Sequence, residues 1–262
     1  MLSRLRPART TSLVTAALAT CVLGLSACSG SDDGGEGDAG DAAGDPAAYD
    51  TETLLPAVQD AVADAESVHV TLGTKESPDD VEVDVSWGEE PVLSAVTGDQ
   101  TGAGLEVRRV GGRVYVGGAA ANDQWRYLEE DDPRLQGAEG FDAGVVPILL
   151  AIDVPAELAA LEAGVTDVGE GTTDEVAGED ATRYDVTLDT EAWLAALPEQ
   201  SIYRVMDVPA ELDAELWIDE DSRPVQLAYQ VGDDAARSAQ VGWSAWDEPV
   251  EVTAPEGAKP VR

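Results

Sequence analysis

Two cysteines, one histidine and one phenylalanine are all that this 262-residue chain holds of those types, and each scarcity excludes something. Cys21 and Cys28 both lie near the N-terminus, so the rest of the chain carries no disulfide framework and no thiolate metal cluster. A lone His69 leaves no second imidazole for a histidine-rich zinc site or a Ser/His catalytic pair. It falls between Val68 and Val70 in an alternating stretch and reads as a solvent-side strand residue. Positive charge is scarce too: 15 bases, of which only Lys75 and Lys259 are lysines, face 53 acids, giving a formal net charge of −38. That balance argues against nucleic acid as a partner and against a basic face for anionic lipid headgroups.

What the chain does have begins with a leader. Arg4, Arg6 and Arg9 precede an apolar run over residues 13–25, and small residues follow at Ser26 and Ala27. A positive start, a short apolar core and small residues before a cleavage point describe a secretory signal, not a fold element. The run is too short for a convincing membrane span. Leu25-Ser26-Ala27-Cys28 resembles the lipobox of bacterial lipoproteins. That resemblance implies cleavage after residue 27, a diacylglyceryl group on the Cys28 sulfur and an acyl chain on its amine. At about 0.8 kcal/mol per buried methylene, two or three chains anchor a protein stably. Residues 28–47 follow, rich in Ser, Gly, Ala and Asp, with no base and no large apolar side chain. They read as a flexible acidic tether that sets a domain over residues 48–262 about 25 Å from its anchor on average.

The domain opens on a helix. Asp50, Thr51 and Thr53 supply capping oxygens, and Leu54, Leu55, Val58, Ala61, Val62 and Ala65 follow helical spacing, which predicts a helix of about 15 residues. From Val68 the period becomes two. Val68, Val70 and Leu72, then Val81, Val83, Val85 and Trp87, alternate with polar residues; Leu93, Val96, Leu105 and Val107 continue the series. Gly111-Gly112 marks a tight hairpin to residues 114–116, and residues 125–128 close a run of about six antiparallel strands.

The middle of the chain is different in kind. Val145, Val146, Pro147, Ile148, Leu149, Leu150 and Ile152 form a short stretch apolar on all sides, which must be enclosed by protein or face lipid. A further helical run follows Pro155. Alternation returns over residues 165–168, 173–176 and 184–188, and a short helix carrying Trp193, Leu194 and Leu197 follows Thr190. Strands around Leu212–Ile218, Val225–Val231 and Ala239–Ala245 finish the domain, leaving an extended tail. The acidic runs at residues 129–132 and 219–221 lack EF-hand spacing and read as solvated turns, so no metal and no cofactor is expected.

A long antiparallel sheet with one apolar face must receive its helices on that face, which predicts an α+β single domain. Where helices cover the sheet imperfectly, an apolar cavity remains. The pattern leaves open whether that space is a ligand cavity or a filled core.

The order of elements resembles LppX/LprG-type lipoproteins of actinobacteria, within the LolA-like superfamily. The similarity is carried by residues 66–70 opening the first strand, Val110-Gly-Gly-Arg-Val-Tyr-Val116, Trp125, residues 175–184, and Leu216-Trp-Ile-Asp219 with Arg223-Pro224-Val225. The resemblance implies an antiparallel half-barrel sheet wrapped around helices, with no enzymatic activity. It further implies an apolar cavity that binds and carries acyl chains of a lipid or lipoglycan. Cavity-lining residues expected on this basis are Val145, Ile148, Leu149, Ile152, Trp193, Leu216 and Leu227. The expected setting is the extracytoplasmic face of the cell membrane, reached through Cys28, with the protein a monomer. The alternative is the same fold with a filled core, acting as a protein-interaction or sensory module.

Overall fold

The computed structural model describes residues 48–88, 90–98, 104–135, 145–199, 201–205, 208–231 and 238–261. The leader, Cys28 and the tether lie outside the described residues, as does Phe141.

Strands form where the sequence alternates. β1 (Ser67–Thr74), β2 (Ser77–Ser86), β3 (Val92–Thr97), β4 (Leu105–Val110), β5 (Arg113–Gly118) and β6 (Arg126–Glu129) make an antiparallel meander. Gly111 and Gly112 turn β4 into β5 with φ of +61° and +71°, left-handed values that suit glycine in a two-residue hairpin. The second half supplies β7 (Val165–Val168), β8 (Thr172–Val176), β9 (Glu179–Asp189), β10 (Glu211–Ile218), β11 (Pro224–Gln230) and β12 (Ser238–Ser244). Antiparallel pairing of β12 with β1 joins the halves into one sheet.

The extended tail ends in a strand. Residues Lys259–Pro260 form β13, parallel to β6, with Lys259 N donating to Trp125 O at 3.1 Å and Val261 N to Tyr127 O at 3.0 Å. The 13-stranded sheet runs β13-β6-β5-β4-β3-β2-β1-β12-β11-β10-β9-β7, with β8 paired to β9. Its end strands do not pair with each other, so the sheet is an open half-barrel and the domain is α+β, as expected.

Cross-strand register sorts the inner face into rows. One row runs Trp243, Val70, Val83, Ala95, Val107 and Val116; the next runs Val68, Val85, Leu93, Arg109, Val114 and Leu128. A third links Tyr184, Leu216, Leu227, Val241, Leu72 and Val81. Apolar neighbours in such rows are the unit of sheet stabilisation. Arg109 is the one charged member among these three rows.

Four helices meet this face. α1 (Leu54–Val62) is nine residues long, shorter than its apolar spacing predicts, because Ala63 to Ala65 already turn toward β1. α2 (Val146–Leu150) is a single apolar turn with Val146 and Leu149 buried. α3 (Val154–Gly164) is capped by Asp153, which accepts from Ala156 N at 3.1 Å; α4 (Thr190–Ala196) is capped by Asp189, which accepts from Glu191 N and Ala192 N. α1 and α4 pack on α3, and α3 and α4 rest on β9.

Candidate functional site

The residues expected to line a cavity divide between two places. Leu149, Trp193, Leu216 and Leu227 are buried core residues, while Val145, Ile148 and Ile152 are half-buried around α2. Trp193 and Leu227 share one space, bounded also by Glu157, Leu158, Tyr203 and Trp243, and it measures about 10 Å³. That is about the room one water needs, against roughly 300–1,000 Å³ for a ligand pocket. Aromatic packing accounts for the filling: the Trp193 ring lies 5.1 Å from that of Tyr203 and 6.2 Å, edge-on, from that of Tyr229. Beneath α3 and α4 the core is closed.

This closed core holds a carboxyl. Glu157 occupies the same stripe of α3 as Val154, Leu158 and Leu161, so its side chain is carried inward although the residue as a whole is half-buried. Burial, and then the negative charge of Asp153, push its pKa up to about 8. Burial likewise raises the Tyr203 hydroxyl, with Glu157 adding to the effect. At neutral pH Glu157 is therefore mostly a neutral acid within an apolar wall. Trp243 Nε1, on the same wall, is buried without a hydrogen-bond partner among the described residues.

A roomier space lies under α2. Val114, Leu135, Pro147, Leu150 and Ala151 surround a half-open cleft of about 230 Å³, with Arg109 and Glu130 as its charged members. Local chemistry builds each wall. α2 is apolar all round and lies against β4, so its turn roofs the sheet without matching it. Leu135 is swung over by the short 3₁₀ turn Pro133–Leu135, pinned where Arg134 grips Asp132 through Nε at 2.9 Å and Nη2 at 2.6 Å. That grip holds the Asp132 carboxyl down at about 2.

Arg109 enters the cleft because it shares the parity of Leu105 and Val107 on β4. Its Cα neighbours are Leu93 and Val114, both buried, and its side chain is 17% exposed. Nη1 lies 4.0 Å from Glu130 Oε1, beyond hydrogen-bond distance, and Nε is buried without a partner among the described residues. The adjacent Arg108 points to the other face, where its Nη groups bond Glu106 and the Thr253 carbonyl and its guanidinium lies over the Trp125 ring at 4.7 Å.

Other depressions suit an acyl chain less well. One of about 470 Å³ is walled in part by Asp167, Asp185, Asp213 and Glu215. His69 lies where expected, on a strand flank, with Nδ1 2.8 Å from Asp84 Oδ1. Among the described residues no group of three or more His, Cys, Asp or Glu could hold a metal.

Two features of the site were open to sequence reading and missed by it. Arg109 follows Val107 at the apolar period, and Glu157 follows Val154 at helical spacing before Leu158 and Leu161. Both interrupt an apolar stripe with a charge.

Comparison with solved structures locates the architecture. LprF from Mycobacterium bovis superimposes with a TM-score of 0.51 at 15% identity, covering 79% of this chain and 97% of that one. The domain has the LprF fold. The lipoprotein LppX of Mycobacterium tuberculosis matches with a TM-score of 0.49 at 20% identity over 78% of this chain and 98% of its own. A LolA superfamily protein from Nitrosomonas europaea matches at 10% identity, with a TM-score of 0.26 over 78% of this chain and 96% of that one. No protein-family model matches the chain, and no curated protein is similar to it in sequence. The resemblance read from strand order and turn motifs is thus a resemblance of fold.

Proposed function

We propose that this protein is a lipoprotein, anchored through Cys28 on the extracytoplasmic face of the cell membrane, that binds the acyl portion of a lipid non-enzymatically. The observation that carries this reading is the half-open cleft of about 230 Å³ between α2 and the inner face of β4 and β5, lined by five apolar residues with Arg109 and Glu130 and large enough for part of an acyl chain. Burial of chain surface there would drive binding at about 25 cal/mol per Å². The cleft accepts the leading part of a chain as it stands, and displacement of the single-turn α2 would lengthen it. Ile148 lies in that turn and Val145 and Ile152 flank it, and these are the residues a displaced α2 would present to a longer chain. Trp193, Leu216 and Leu227 belong to the closed part of the core and do not line this cleft. The LprF fold supports the architecture required, an open sheet with helices on its apolar face.

A second reading is favoured by one observation, the closed core beneath α3 and α4 with its residual 10 Å³. A filled half-barrel would serve as an envelope protein-interaction module and hold no lipid. Native mass spectrometry of the full chain, extracted from its own envelope in mild detergent, separates the two. The lipid reading expects noncovalent lipid at about one per chain, beyond the acyl groups on Cys28. A chain that is empty in every preparation supports the interaction module.

A further inference from the structure

We infer that Arg109 is an anion-recognition residue inside the α2 cleft, selecting amphiphiles whose head is a carboxylate or phosphate over those with a neutral head. This deepens the lipid-binding reading and rests on it.

Four observations converge on Arg109. It stands in a row whose other members are Val68, Val85, Leu93, Val114 and Leu128, where a leucine or valine would complete the inner face. Its side chain is largely covered, being 17% exposed. Among the described residues its guanidinium makes no hydrogen bond: Glu130 lies 4.0 Å away and Nε has no partner. Finally, it lines a cleft of about 230 Å³ whose remaining wall is chiefly apolar.

The guanidinium carries five donors in a planar fork; its Nε is buried without a partner among the described residues, which is unfavourable, while its Nη groups face the half-open cleft. Arg108 and Arg183 also have a buried Nε without a partner, but each is otherwise engaged. Arg108 bonds Glu106 and the Thr253 carbonyl, and Arg183 lies 3.5 Å from Glu215 and 3.7 Å from Asp185. Arg109 has only Glu130, which is 48% exposed and loosely apposed. The fork matches a carboxylate or phosphate bidentately. Leu150, Pro147 and Leu135 are placed to take the methylene groups behind such a head. The chain's net charge of −38 argues against a basic outer face, and a single internal arginine is a different device. It attracts an anion only at short range, within a cleft that also demands an apolar tail.

The test uses the full chain in a nonionic detergent, titrated calorimetrically with decanoate, decan-1-ol, acetate and inorganic phosphate. Wild type is expected to bind decanoate about tenfold or more tighter than decan-1-ol, as a charge-assisted pair provides. Arg109→Leu, which completes the apolar row and keeps the near-ultraviolet circular dichroism of wild type, brings decanoate down to the decan-1-ol affinity. Glu130→Gln, which removes the competing carboxylate, tightens decanoate. Equal wild-type affinities for decanoate and decan-1-ol would overturn the role of Arg109 and leave lipid binding standing. Acetate or phosphate binding as tightly as decanoate would overturn it in favour of a free-anion site. Failure of both decanoate and decan-1-ol to bind would remove the lipid reading and this inference together.

Discussion

Gly164 and Trp193 meet so closely that a Cβ on the glycine would lie 2.6 Å from the tryptophan's own Cβ and 3.1 Å from its Cα. This contact sets the distance between the end of α3 and the middle of α4, and so determines how completely Trp193 fills the core. The atoms in the way belong to the Trp193 backbone and its first side-chain carbon, which have little freedom to move. Gly164→Ala is expected to destabilise the domain by about 1–3 kcal/mol, the usual cost of overpacking. Urea denaturation monitored by tryptophan fluorescence checks it, and an unchanged midpoint would show that α3 and α4 separate freely.

Glu157 gives the domain a pH dependence of defined sign. Its carboxyl keeps a proton in the folded state up to about 8, whereas in the unfolded chain it ionises near the ordinary value of 4.5. The folded state therefore binds the proton more tightly. The contribution is fully present below pH 4.5 and is lost as pH rises through about 8. Asp153 on the same helix opposes ionisation, and Tyr203 faces the group from across the cavity. Between pH 5 and pH 8.5, wild type should lose about 2 kcal/mol relative to Glu157→Gln, a figure reduced from full linkage because the residue is half-exposed. Parallel denaturation curves at both pH values measure this difference. Identical pH slopes for the two proteins would place the carboxyl in water.

Filling the α2 cleft should block it. Leu150 is half-buried and lines the cleft without belonging to the closed core beneath α3. Leu150→Trp is expected to lower lipid occupancy in native mass spectra several-fold while costing no more than the about 1–3 kcal/mol of an enlarged side chain. Full occupancy in that variant would exclude the cleft as the binding place.

Much of the sheet could be read from residue order alone because its inner rows are built from valine and leucine at period two. Val68, Val83, Leu93, Val107 and Leu216 all lie on the apolar side that their alternation implies. β13 could not be read this way. Lys259 and Pro260 have no strand pattern, and their pairing depends on backbone groups of Trp125 and Tyr127 far away in sequence. The extent of the core was equally hidden. Whether Trp193 leaves a void depends on Tyr203, Tyr229 and Trp243 converging from three separate segments, which no local period encodes. Arg109 was legible as a charge following Val107 at the apolar period, but its lack of a close partner depends on where Glu130 comes to lie, which no local period encodes.

The anchor makes its own prediction. Growth with labelled palmitate should yield alkali-stable labelling of wild type and none of Cys28→Ala. Equal labelling of both would leave the leader as an ordinary secretory signal.

The most direct measurement for the central claim is photocrosslinking of a diazirine-bearing fatty acid to the full chain, followed by peptide mapping of the adduct. The account predicts adducts on segments bordering the α2 cleft, at Val114, Leu135, Pro147 or Leu150, and their loss in Leu150→Trp. Adducts confined to the outer surface, or spread evenly over the chain, would contradict it.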